Sequence, residues 1–151
     1  MLEIVHYLHI ISATVFIGNV IFFDWAVGGA LARLPVNERL RFALAIRPFS
    51  GHLIMGSLAI TLIAGIARLF LSGAIQSIGD LLGGYGLKAM AALILVVVSE
   101  GIAAPLRKKM RKSLVDHDDA EYQKQWRKHR AFNTALVLSL LALMTSMRMG
   151  W

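Results

Sequence analysis

Histidines are the residues of this chain with the chemistry to hold a cofactor, and their spacing decides which. His6 and His9 stand one helical turn apart near the start of an apolar run, His6-Tyr7-Leu8-His9-Ile10-Ile11-Ser12-Ala13-Thr14-Val15-Phe16-Ile17-Gly18-Asn19. His9, Ser12, Phe16, Asn19 and Phe23 recur at three- and four-residue steps, so they share one helix face. Neutral imidazole is the usual axial ligand of haem iron and a general metal ligand. An ionisable group inside a long apolar segment is costly and tends to face a protein interior. His9 is therefore read either as a metal ligand or as a hydrogen-bonded structural group. His6, nearer the segment boundary, is either a second ligand or an interfacial residue. His52 follows Pro48 and Gly51, and His129 precedes a later apolar run. These two are open between interfacial histidines and ligands, whether as a pair or as the site of a second haem.

Other residues extend the same chemistry. Arg68, Lys88 and Arg148 lie at the ends of apolar runs. There they either meet the carboxylates of a porphyrin or snorkel to lipid headgroups. Met144, Met147 and Met149 offer thioethers which, with imidazole, suit copper(I). The same residues also serve as apolar packing. Asp24 and Glu100 are expected to form salt bridges with the basic stretches. The chain has no cysteine, which excludes disulfides, thiolate metal sites and iron–sulfur clusters. It has no glycine-rich phosphate loop, Ser-His-Asp arrangement or HExxH motif, so no catalytic side chain is assigned.

The elements that must position these residues are membrane spans. Of the 151 residues, 57% are hydrophobic and only 17% charged, whereas a soluble domain is less than half apolar and about a quarter charged. A helix needs about 20 predominantly apolar residues to cross a bilayer. Four runs qualify, at approximately 2–30, 49–71, 85–105 and 131–150, in a single domain over 1–151. The first differs from a secretory signal because Glu3, and no Lys or Arg, precedes its long apolar run. It is expected to be retained. Residues 33–47 are expected to form a short amphipathic connector, with Pro48 opening the second span. Residues 72–86 form a glycine-rich connector, and 107–130 a highly charged one.

Loop charge orients the spans. Of 16 Lys and Arg, four lie in 33–47 and nine in 107–130, while 72–86 has none. Cytoplasmic loops carry such an excess. The expected fold is thus an all-α, integral membrane four-helix bundle, N-out and C-out, with periplasmic termini in a bacterial inner membrane. His6, His9, Arg68, Lys88, Arg148 and the methionines fall toward the outer side. Asp24, His52, Glu100, His129 and Arg130 fall toward the cytoplasm. His9 and His52 lie at different depths, so they do not clamp one cofactor plane by themselves. The net charge of +7 is attributed to this asymmetry and not to nucleic-acid binding, because no basic stretch is interleaved with exposed aromatics.

Several motifs resemble a family of small four-span membrane proteins. Leu8-His9-Ile10-Ile11-Ser12-Ala13 with Phe16-Ile17-Gly18 is similar to the opening of the HemJ-type protoporphyrinogen oxidases and of the CopD-type copper-resistance domains. Gly86-Leu87-Lys88, Arg130-Ala131-Phe132-Asn133 and Arg47-Pro48 resemble HemJ-type positions at the starts of the third, fourth and second spans. Phe16 stands where the family often has tryptophan, and Thr134 where HemJ-type proteins have glutamate. The resemblance implies haem b near His9, with Lys88, Arg130 and Asn133 supporting it. It also implies one-electron redox chemistry, either as a haem-dependent membrane oxidoreductase or as an electron-transfer subunit. Partners would be the bilayer and a quinone, porphyrinogen or protein redox partner, with the chain a homo-oligomer or a subunit of a membrane complex. Copper handling and a cofactor-free membrane anchor are the alternatives.

Overall fold

The computed structural model describes residues 1–149, with Arg47, Arg148 and Met149 described by their backbone alone. It is all-helical: α1 (Leu2–Ile21), a π-helical turn (Phe22–Val27), α2 (Gly28–Leu31), α3 (Val36–Leu71), α4 (Ile78–Leu81), α5 (Gly84–Val115) and α6 (Asp119–Met149). No strand occurs among the described residues. The first three elements follow one another without a break, because no proline interrupts the chain before Pro35. Leu2–Leu31, Pro48–Leu71, Gly84–Val115 and Asp119–Met147 are each long and apolar enough to cross a membrane.

The helices run past the apolar stretches, which corrects the expected connectors. Pro48 does not open a helix; it lies inside the 36-residue α3, and 36–47 is helical. Its missing N–H removes one internal hydrogen bond, too little to break a helix whose preceding turns are anchored by the buried Arg39. Pro105 likewise lies inside α5, and α6 begins at Asp119. The charged stretch 107–130 is therefore two helical extensions joined by a tight turn. His117 takes φ 56 in that turn, and the Asp118 carboxylate accepts the Glu121 N–H at 2.9 Å, capping the start of α6.

Contacts fix neighbours as antiparallel. His9 meets Thr61 while the end of α2 meets Arg39; Lys88 meets Ser146 while Leu114 packs with Tyr122. The central core draws Phe16 from α1, Leu58 from α3, Val96 from α5, and Leu136 and Leu140 from α6. Much of the remaining buried surface along the four long helices is small: Ser12, Ala13, Ser57, Ala64, Ser99 and Ala103. Ser12 and Ser57 each return their hydroxyl to the carbonyl four residues back, at 2.7 Å. Large apolar side chains point outward instead, among them Ile4, Ile63, Phe70, Ile94, Val97 and Leu138. Small residues inside and large apolar residues outside is how helices pack in lipid, where burying an apolar group against another helix has no hydrophobic reward.

Each end has its own packing. At the basic end, Leu114, Tyr122 and Trp126 form a second core with Leu40, Ala43 and Met110. At the other end, α4 is closed by a capping box between Ser77 and Asp80. The Gln76 and Ser77 N–H groups and the Ser77 hydroxyl hold the Asp80 carboxyl below its ordinary pKa. Buried Gly86 lies against α4 so closely that a Cβ there would fall 2.1 Å from the Asp80 carbonyl oxygen.

Candidate functional site

The polar side chains of the spans gather in two places, one toward each end. The first is built on His9 and belongs to the α1–α3 contact. Its Nδ1 lies 2.9 Å from the Thr61 carbonyl oxygen. A carbonyl only accepts, so Nδ1 donates, and in the neutral form of the ring the lone pair is then on Nε2. The Thr61 hydroxyl donates to Ser57 O at 2.7 Å and lies 3.0 Å from the Ser12 hydroxyl, which ties the acceptor's own turn to α1. Gly65 faces the ring: a Cβ there would stand 3.0 Å from Cε1. The imidazole is held in orientation and in tautomer. That is the outer-shell pattern of metal-ligating histidines, whose second nitrogen donates to a carboxylate, carbonyl or water.

Further toward the same end are the cations. Arg68, one turn beyond Gly65 on α3, donates to the Tyr85 hydroxyl at 3.4 Å. Half-buried Lys88 donates to Ser146 O at 3.2 Å, joining α5 to α6. His6 sits one turn before His9, with its Nδ1 buried and without a partner among the described residues. The side chains of Arg148 and Met149 lie outside the described residues, so the copper arrangement of three methionines and the third cation are not described as a whole.

The second cluster joins α6 to the π-helical turn. Asp24, 9% exposed, faces His129 Nδ1 at 3.3 Å and accepts the Asn133 amide at 2.5 Å. The π turn inserts an extra residue into the helical repeat, and Asp24 lies within that turn. His129 Nδ1 also lies 3.4 Å from the Asn133 amide nitrogen. Its Nε2 is buried with no partner among the described residues, as is Trp126 Nε1. Gly28 lets that indole close on the helix, since a Cβ there would be 2.5 Å from Nε1. Beside this pair, the Arg130 guanidinium lies 4.6 Å from the ring centres of both Trp25 and Trp126. Trp25 Nε1 donates to the Thr134 hydroxyl at 3.3 Å, and Thr134 donates to Arg130 O at 2.8 Å.

Of the residues singled out from sequence, the structure thus collects His9, His6, Arg68 and Lys88 toward one end and His129, Arg130 and Asn133 toward the other. Asp24 is 15 residues from His9 on the same continuous helix, or about 20 Å at about 1.5 Å per residue. His52 joins neither group: it is exposed and bonds only its own helix, at Pro48 O. Glu100 pairs with Arg107 at 2.6 Å, as a simple salt bridge. Asp24, Trp25 and Trp126 complete the second cluster. The costly carboxylate in an apolar run was the one sequence signal pointing there. No group of three or more His, Cys, Asp or Glu among the described residues is arranged to hold a metal ion. Compared with family models, with curated proteins and with solved structures, the chain matches none.

Proposed function

We infer that this chain is an integral membrane four-helix bundle that binds haem b through His9. On this reading it passes single electrons between a membrane-soluble donor, such as a porphyrinogen, and a quinone or protein acceptor. The observation that carries the reading is the bond from His9 Nδ1 to Thr61 O, which leaves Nε2 as the ligating nitrogen inside an apolar span. Haem iron, when bound, supplies the one-electron step. His9 would hold the haem, and its bond to the backbone keeps the ring from turning. Gly65 leaves room for the ring. Arg68 and Lys88, farther toward the same end, are placed to meet the two propionates. Exposed Leu8, Ile11 and Ile63 around this level leave a porphyrin edge unsheltered, which favours a homo-oligomer or a larger membrane complex.

The charge pattern supports the orientation. The helix ends carrying nine of the 16 Lys and Arg face the cytoplasm by the positive-inside rule, and both termini face the periplasm of a bacterial inner membrane. The test is the absorption spectrum of the protein in mild detergent, oxidised and dithionite-reduced. A Soret band with sharp reduced α and β bands is expected. His9→Ala should abolish it, whereas His52→Ala should leave it intact. Unchanged haem in His9→Ala would overturn the assignment. A colourless preparation containing copper would favour copper handling, and one with neither would favour a cofactor-free anchor.

A further inference from the structure

The second cluster contains a cation that no described residue neutralises. Arg130 is half-buried, and no carboxylate, carbonyl or hydroxyl among the described residues accepts from its guanidinium. The nearest carboxylate in sequence to its stacking partners, Asp24, is committed to His129 and Asn133. With the indole rings of Trp25 and Trp126 each 4.6 Å away, the guanidinium is held by cation–π contact, and its N–H edges have no acceptor among the described residues. Those edges form the fork that matches a phosphate or carboxylate oxyanion.

What lies beside the fork indicates the source of the oxyanion. Trp25 is 52% exposed and Phe22, at the start of the same π-helical turn, 56%. On the antiparallel α6, Leu138 and Leu141 lie two and three turns beyond Arg130 and are 62% and 42% exposed. Residues three and four apart share a helix face. Both helices therefore lead from the arginine into the membrane along exposed apolar side chains. A soluble anion would use the fork and leave this track bare. A phospholipid uses both. Tryptophan and arginine at this level also match the headgroup zone, and anionic lipids are concentrated in the cytoplasmic leaflet, which the basic helix ends face.

We propose that Arg130, held against Trp25 and Trp126, binds the phosphate of an anionic phospholipid whose acyl chain lies along Phe22, Leu138 and Leu141. The site rests on the membrane placement and is independent of haem at His9.

Native mass spectrometry of the full chain in detergent, titrated with phosphatidylglycerol, phosphatidylcholine or inorganic phosphate, tests it. Phosphatidylglycerol should bind at least about tenfold more tightly than phosphatidylcholine, consistent with a charge-assisted hydrogen bond. Arg130→Gln should remove that preference, while Arg127→Gln, an exposed arginine one turn away, keeps it. A measurement on the unmodified chain guards against misfolding of the variant: phosphatidylglycerol brominated on its acyl chains should quench indole emission more than brominated phosphatidylcholine, and Trp25→Phe should remove most of that difference. Equal binding of the two lipids, or full retention of the preference in Arg130→Gln, would overturn the site. Inorganic phosphate displacing the lipid at equal concentration would assign the fork to a soluble anion and overturn the lipid.

Discussion

Among the described residues, Arg39 is the most completely enclosed large side chain, at 2% exposure. Its Nε donates to Leu31 O at 2.9 Å, which also accepts the Leu34 N–H, and a second nitrogen donates to Leu34 O at 2.8 Å. The same group pairs with Asp119 and covers the ring of Tyr122 at 4.7 Å. One guanidinium thus ties α2, α3 and the start of α6. Arg39→Ala should destabilise the protein by about 1–3 kcal/mol through the loss of these charge-assisted hydrogen bonds, seen as a lower thermal midpoint in detergent. Arg39→Lys should recover only part of it, because an ammonium lacks the planar fork; full recovery would show that charge alone matters. Nothing in the sequence separates Arg39 from Arg33 or Arg41, since all three sit among polar and apolar residues in the same short stretch. His9 is the opposite case: an imidazole in a lipid-length apolar run is conspicuous by residue type alone.

At the scale of elements, the apolar runs and the helices are not the same objects. Hydropathy finds the runs because the bilayer selects composition, and it stops where charges begin. Helices continue beyond, because Leu114, Tyr122 and Trp126 still have a core to enter and the charged faces are content in water. Pro48 and Pro105 look like boundaries by type, yet each sits in a helix held on both sides by packing. Glycines at this scale differ by what they touch. Gly86→Ala should push α4 from α5 and cost about 1–3 kcal/mol as overpacking. Gly101, with nothing within 4 Å of a Cβ, should instead gain up to about 1 kcal/mol as alanine through helix propensity. Thermal midpoints of the two variants should move in opposite directions; a matching loss at Gly101 would mean that α5 has an unrecognised neighbour there.

For the whole molecule, the arrangement is small side chains within, large apolar ones without, and charge at one end. With no native cysteine, single cysteines report sidedness directly. Ala74→Cys, in the connector before α4, should react with an impermeant maleimide added to intact cells. Asp116→Cys, in the turn between α5 and α6, should react only after permeabilisation. The reverse pattern would invert the proposed orientation, and labelling of both in intact cells would remove at least one span.

The sequence by itself determined the all-helical architecture, the four runs long and apolar enough to cross a membrane and the prominence of His9. Each follows from composition and from the cost of polar groups in lipid, properties local to a stretch of chain. The tertiary structure alone decided what the polar residues meet. It joined Asp24 to His129 and Asn133, set Arg130 against Trp25 and Trp126, left His52 on the outside, and separated the His9 end from the Arg130 end. Those pairings depend on how antiparallel helices register and rotate against one another. In lipid, that is settled by close packing of small residues and by a few interhelical hydrogen bonds, neither of which leaves a periodic mark in the sequence.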